Sequence, residues 1–172
     1  MSGSPTDGTS FEEFFAARHR ALCRAAFLLT GDDDEAEDLF QAAMVQAYAR
    51  WPQIVRHGTD PEAYVRKIML NKVRDGWRAR LRHRTRAHEV HAPGIVQDAA
   101  STVEDRHVLG ALLRQLPAQQ RAVLYLRFAL DYTEAQAAQA LGCRVGTVKS
   151  HTHRALTKLR AATAPVNQSE AT

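Results

Sequence analysis

Cysteine is nearly absent: Cys23 and Cys143 are the only two in 172 residues, 120 positions apart. Neither a disulfide framework nor a four-ligand zinc site can be built from them. Long apolar runs are missing as well, the longest covering a few residues against the roughly 18 that span a bilayer. The opening Met1-Ser2-Gly3-Ser4-Pro5 has neither the basic nor the apolar segment of a secretory signal. These absences predict a reduced, cytoplasmic protein with no membrane insertion. No HExxH, HxxxH, CxxC, glycine-rich phosphate loop or Ser-His-Asp order occurs, so nothing points to a cofactor or a metal. Strand-like alternation is also missing. What remains is an all-α chain of globular composition, 45% hydrophobic and 24% charged.

The formal net charge of +4 conceals an uneven distribution. Residues 1–50 hold 4 basic and 9 acidic side chains, and residues 51–92 hold 10 basic and 4 acidic. Residues 93–132 balance, and residues 133–172 carry 5 basic against 2 acidic. One acidic block and two separate basic blocks are either solvated helix faces or the footprints of different partners, one of them polyanionic.

Helical periodicity runs through both ends of the chain. Ser10 with Glu13 forms a capping box, opening a helix with apolar positions at Phe11, Phe14, Phe15, Leu22, Ala25, Ala26 and Leu29. Thr30-Gly31-Asp32 ends it. A second helix is predicted from about Asp34 to Trp51, with Glu35, Glu37, Asp38, Gln41 and Gln46 opposite its apolar stripe. Pro52 and the stretch from Arg56 to Pro61 read as a loop. Pro61 suits the first position of a third helix, whose stripe is Val65, Met69, Val73, Trp77 and Leu81. Periodicity fails from Arg82 to Thr102, then resumes at Val108. The expected organisation is a disordered segment 1–9, a helical domain 10–82, a flexible linker 83–102, a second helical domain 103–162 and a disordered tail 163–172. Each domain is expected to have its own thin core.

The most specific local pattern lies between Thr133 and His151. Thr133 with Gln136 is a second capping box, Ala137 is small where another helix must cross, and Gly142 supplies the left-handed turn. Val148 is placed to point back at Ala138 and Leu141. This is helix-turn-helix grammar, in which the second helix enters a DNA major groove. Lys149, Ser150, His151, His153 and Arg154 form its polar side, able to donate to phosphates and base edges. A helical hairpin that merely packs would share part of this pattern.

The third helix is basic: nine basic residues and one acid, Asp75, lie between Arg66 and Arg86. Lys67, Lys72 and Arg74 flank its apolar stripe, and Asn71 and Trp77 lie on the same element. Cations, an amide and an indole are what a melted strand requires, for charge neutralisation, base-edge reading and stacking. Trp77 in register with Val73 also reads as core, and Asn71 as a surface residue.

In this order the two halves resemble the bacterial RNA polymerase sigma factors of the extracytoplasmic-function (ECF) group, which keep only regions 2 and 4. The resemblance runs from about Phe11 to Arg160. It is carried by Leu28-Leu29-Thr30-Gly31-Asp32, Ala36-Glu37-Asp38-Leu39-Phe40-Gln41-Ala42-Ala43, Tyr64-Val65-Arg66-Lys67-Ile68 with Asn71, Leu116-Pro117-Ala118-Gln119-Gln120-Arg121, and Gly146-Thr147-Val148-Lys149-Ser150-His151. It implies a non-enzymatic initiation factor whose partners are core RNA polymerase, through its clamp helices and flap, and promoter DNA. An anti-sigma protein is a common regulator in the family. By position, Glu37, Asp38 and Gln41 would dock on polymerase. Asn71, Lys67, Lys72, Arg74 and Trp77 would engage the −10 element, with the loop from Arg56 to Asp60 helping to form a pocket for a flipped base. Lys149, Ser150, His151, His153 and Arg154 would read the −35 element.

Three positions depart from the family pattern. Ala42 replaces an acid, Arg144 replaces a small capping residue and His151 replaces an arginine. A histidine there predicts pH-dependent DNA affinity if it titrates near neutrality. Two other readings compete. A stand-alone helix-turn-helix regulator would leave residues 11–81 unexplained. An enzyme or metal sensor would have to use the eight histidines, but His83, His88 and His91 fall in the linker, and His151 and His153 diverge by about 200° around a helix.

Overall fold

The computed structural model describes residues 10–82 and 103–163, all of them helical or in short turns, with no strand among the described residues. The linker 83–102, the segment 1–9 and all of the expected tail after Thr163 lie outside the described residues; Thr163 itself ends the last helix.

Helix α1 (Phe11–Thr30) starts at the capping box: the Ser10 hydroxyl accepts from Glu13 N–H, and the Glu13 carboxylate accepts from Ser10 N–H. It stops at Gly31, whose φ of 76° is left-handed backbone that a side chain would strain. Helix α2 (Asp33–Ala49) begins at once, because the Asp32 carboxylate accepts from Asp34 N–H at 3.0 Å and Glu35 N–H at 3.1 Å. Where the sequence suggested a loop, α3 (Trp51–Arg56) forms a six-residue helix. Pro52 lies in its first turn, where a missing N–H costs nothing, so the proline starts a helix instead of breaking one. Helix α4 (Pro61–Arg82) follows from the expected proline. Phe11 meets Trp51 and Tyr48 edge-on, with centroids 5.2 and 4.9 Å apart, tying the start of α1 to the start of α3 and the end of α2.

The second half comprises α5 (Val103–Arg114), α6 (Ala118–Leu124), a π-helical turn (Tyr125–Ala129), α7 (Glu134–Leu141) and α8 (Val145–Thr163). The π turn was not legible in the sequence. Leu130 N–H reaches Tyr125 O at 3.2 Å, and the chain leaves through Asp131 at a positive φ of 52°.

The two helical units do not keep separate cores. Leu22, Leu29, Val65 and Met69 of the first share one buried cluster with Leu113, Val123, Leu126 and Val148 of the second. Helix α1 packs on α5 and α6, and α4 packs on α6 and α7. Neither half is large, and joining the cores buries apolar surface that each would otherwise expose. Leu22→Ala, at a fully buried site, is expected to lower unfolding free energy by about 3 kcal/mol. A urea transition moved to lower denaturant with an unchanged slope checks this.

Candidate nucleic-acid and partner interfaces

The acidic face is built on α2. Glu37, Asp38 and Gln41 are exposed, and the Gln41 amide donates to the Glu37 carboxylate at 2.7 Å. Ala42 is exposed beside them, followed by Val45 at 70% and Tyr48 at 61% exposure. Positions 38, 41, 42, 45 and 48 form one stripe at helical spacing. The reading from sequence missed Val45 and Tyr48. Val45 lies one turn beyond Gln41, on the side away from Phe40, whereas Tyr48 lies one turn beyond Met44 at the edge of the apolar stripe. An acidic stripe ending in two uncovered apolar side chains fits a partner that is basic at one end and apolar at the other.

The basic face of α4 is divided. Lys67 and Lys72 are exposed, Asn71 and Arg74 are half-buried, and Trp77 is half-buried against the core. The indole is therefore largely committed to packing, with only part of its surface open to a base. Arg74 pairs with Asp75 at 3.6 Å, while its Nε is buried without a hydrogen-bond partner. The segment from Arg56 to Asp60 is ordered around the end of α3. His57 Nδ1 lies 2.8 Å from Gln53 O, and the Asp60 carboxylate accepts from Glu62 N–H at 3.0 Å, opening α4.

The helix-turn-helix has the expected parts. Thr133 and Gln136 cap α7 reciprocally, and Gly142 closes it at φ 63°. Ala137, Ala138, Leu141 and Val148 are buried at the crossing of α7 and α8. On α8, Lys149, His153 and Arg154 are exposed, whereas Ser150 and His151 are half-buried. Lys149 lies 3.6 Å from Glu134, an exposed ion pair that solvent weakens and a phosphate can replace. Arg144 and Thr147, both exposed at the start of α8, were missed as candidates. Their position in the first turn of a recognition helix was the available signal. A guanidinium has no acceptor with which to cap, so only the Arg144 carbonyl serves the helix start, accepting from Thr147 and Val148 N–H.

The surroundings of His151 bear on its titration. Burial, and secondarily the nearby charge of Arg154, lowers its pKa below the usual 6.5, and its Nδ1 is buried without a partner. Its neutral form is therefore favoured, and protonation is shifted toward more acid conditions. Because the folded pKa is depressed, its contribution to stability is complete above the unfolded value and is lost as pH falls through the folded one.

Burial raises both thiols, with Glu37 adding to the shift at Cys23 against the opposing charge of Arg106, so neither is an activated nucleophile. No group of His, Cys, Asp or Glu able to hold a metal occurs among the described residues. No described helix is long and apolar enough to cross a membrane. An NMR titration of the imidazole signals should place His151 below 6.5, with His153→Ala leaving that resonance in place.

Comparison with known proteins places two family regions on the two helical units. Residues 14–83 match the family described as Sigma-70 region 2, and residues 106–159 match Sigma-70, region 4. The RNA polymerase sigma-E factor of Streptomyces avermitilis is 37% identical over 150 residues, covering 87% of this chain and 83% of that protein. The ECF sigma factor SigM of Mycobacterium tuberculosis is 31% identical over 153 residues, covering 89% of this chain and 76% of that one. Among solved structures, the sigma factor RpoE in complex with the anti-sigma factor NepR from Bartonella quintana superposes with a TM-score of 0.63 at 26% identity, covering 88% of this chain and 94% of that chain. CnrH in complex with the cytosolic domain of CnrY gives 0.52 at 25% identity, covering 88% and 86%. The chain belongs to the ECF sigma factors, transcription initiation factors that direct RNA polymerase to promoters.

Proposed function

We propose that the three faces divide the work of initiation among the residues on them. Glu37, Asp38 and Gln41, with Val45 and Tyr48, dock α2 on the clamp helices of core polymerase. Lys67, Lys72 and Arg74 hold the melted −10 strand, Asn71 reads an extruded base, and the open edge of Trp77 stacks. Lys149, Ser150, His153 and Arg154 face the −35 element, with Arg144 and Thr147 at the tip of the recognition helix, while His151 supports the helix from a half-buried position. The observation that carries this reading is the separation of one acidic and two basic exposed faces on the two sigma regions. Cations supply affinity by releasing counterions, and the few base-edge contacts supply specificity.

On this reading the chain works in the cytoplasm, has no catalytic activity of its own and requires no cofactor. The polymerase flap is a second contact, for the helix-turn-helix unit. An anti-sigma protein is a further partner, a reading supported by the similar sigma factor RpoE, solved in complex with the anti-sigma factor NepR. The uncovered apolar residues Val108 and Leu109 of α5, and Phe128, are available to it.

Run-off transcription with core polymerase on a library of upstream sequences tests the assignment. Discrete start sites are expected only when this chain is added. Asn71→Ala should reduce transcription by about 5- to 150-fold, as expected when about 1–3 kcal/mol of base recognition is lost. Lys149→Ala should weaken binding at all −35 sequences alike and flatten the salt dependence by about one phosphate contact. Full activity of both variants, or specific duplex binding by the chain alone without any transcription, would overturn the reading.

A further inference from the structure

Gly31, Gly58, Gly110 and Gly142 each have a reason in the fold. The first, second and last lie in left-handed backbone, and a Cβ at Gly110 would come within 3.2 Å of Gly31 O and 3.3 Å of the Phe27 ring. Gly146 has neither reason. It is the second residue of α8, its φ lies outside the left-handed region, and a Cβ built on it would meet nothing within 4 Å. Alanine would fit there and would favour the helix, because glycine has more backbone freedom to lose. The chain gives up that stability at an exposed position. The use of the missing side chain therefore lies in what this face meets.

At about 100° per residue, Gly146 lies about 180–200° around α8 from the buried Val148 and Ala155. It sits on the crest of the exposed face, in line with Ser150 one turn on and His153 two turns on. Lys149 lies about 60° to one side of this line and Arg154 about 80° to the other. The crest thus begins with two small residues, and the long cations stand on its flanks. Ser150 carries a single oxygen one bond beyond its Cβ. That hydroxyl meets a base edge at about 2.8 Å only where the main chain of α8 comes down close to the floor of the groove. Room there is scarce, since a helix with its side chains is about 10–12 Å across and the major groove about 12 Å wide. A side chain at position 146, one turn nearer the tip, would reach the bases before Ser150 does.

We infer that Gly146 is a positioning residue for −35 recognition: its bare main chain sets how deep the tip of α8 enters the major groove, and so whether the short Ser150 hydroxyl reaches a base. This rests on the functional reading above. The division of labour follows from side-chain length. Lys149 and Arg154 are long enough to find phosphates at more than one depth, so they supply affinity without depending on Gly146. Ser150 has no such latitude. The contact that tells one sequence from another is therefore the one lost when the helix is held off.

Gly146→Ala and Gly146→Leu test the depth in holoenzyme assembled from the full chain and core polymerase. The probes are a fluorescein-labelled promoter duplex taken from the run-off library and the same duplex with its −35 element scrambled. The unsubstituted holoenzyme should prefer the intact element. Gly146→Ala should cut that preference about fivefold, the low end for one base contact, and Gly146→Leu should cut it further. Binding to the scrambled duplex and its salt slope should stay as they are, which separates this loss from that of Lys149→Ala. The thermal midpoint of the free chain should rise with Gly146→Ala, since the unfolded chain loses freedom and the helix gains. In the Gly146→Leu background, Ser150→Ala should cost nothing more. An unchanged preference in both variants, an equal loss on both duplexes, or a thermal midpoint lowered by Gly146→Ala would overturn the inference and leave the functional reading standing. An unsubstituted holoenzyme with no preference for any −35 sequence would overturn the functional reading, and the role of Gly146 with it.

Discussion

Three residues, Thr30-Gly31-Asp32, set the constraint on which the rest of the structure depends. Gly31 lets α1 stop in left-handed backbone, and its N–H returns to Phe27 O at 2.7 Å. The Thr30 hydroxyl lies 3.0 Å from both Ala26 O and Asp32 O, donating to one of them at a time. Asp32 then caps α2. A junction this short fixes the angle between α1 and α2, and with it the direction of the acidic stripe. The carbonyls freed at the end of α1 also become the acceptors that gather arginines from the second unit. One local turn thus orders the first domain and its contact with the second.

Charge does the remaining sorting. The acidic residues of α2 lie on a face whose apolar continuation, Val45 and Tyr48, suits a protein partner. The cations of α4 and α8 lie where polyanions can reach them, and their affinity must fall steeply with salt. Within α4 the cations separate again: Lys67 and Lys72 face solvent, whereas Arg66 and Arg74 turn toward the second half. The arginines suit this second task because a planar guanidinium can serve several acceptors at once, as Arg121 does for Leu29 O and Leu116 O.

Features written in short-range chemistry were legible in the sequence. Both capping boxes, the stops at Gly31 and Gly142, the start of α4 at Pro61 and the buried set Ala137, Ala138, Leu141 and Val148 follow from spacing and residue type alone. The polar residues of α8 were found the same way, although exposure separates Lys149, His153 and Arg154 from Ser150 and His151. Apart from helix α3, what escaped depends on partners distant in the chain. Helix α3 forms because Pro52 falls in a first turn, a matter of one residue's placement. The joined core and the arginine contacts to Leu29 O and Gly31 O involve main-chain acceptors, which no residue type announces. The depressed pKa of His151 comes from tertiary burial and cannot be read from its neighbours in sequence.

The central claim is that one chain reads two separated promoter elements through two faces held in fixed relation by polymerase. Varying the spacing tests this most directly. On a promoter that the chain recognises, inserting about 5 base pairs between the elements turns one of them half a helical turn away from its reader. Transcription should fall at least tenfold, recover in part when the insertion is lengthened to a full turn of about 10 pairs, and leave binding to core polymerase unchanged. Transcription indifferent to the spacing would contradict the account, because one of the two faces would then contribute nothing to promoter choice.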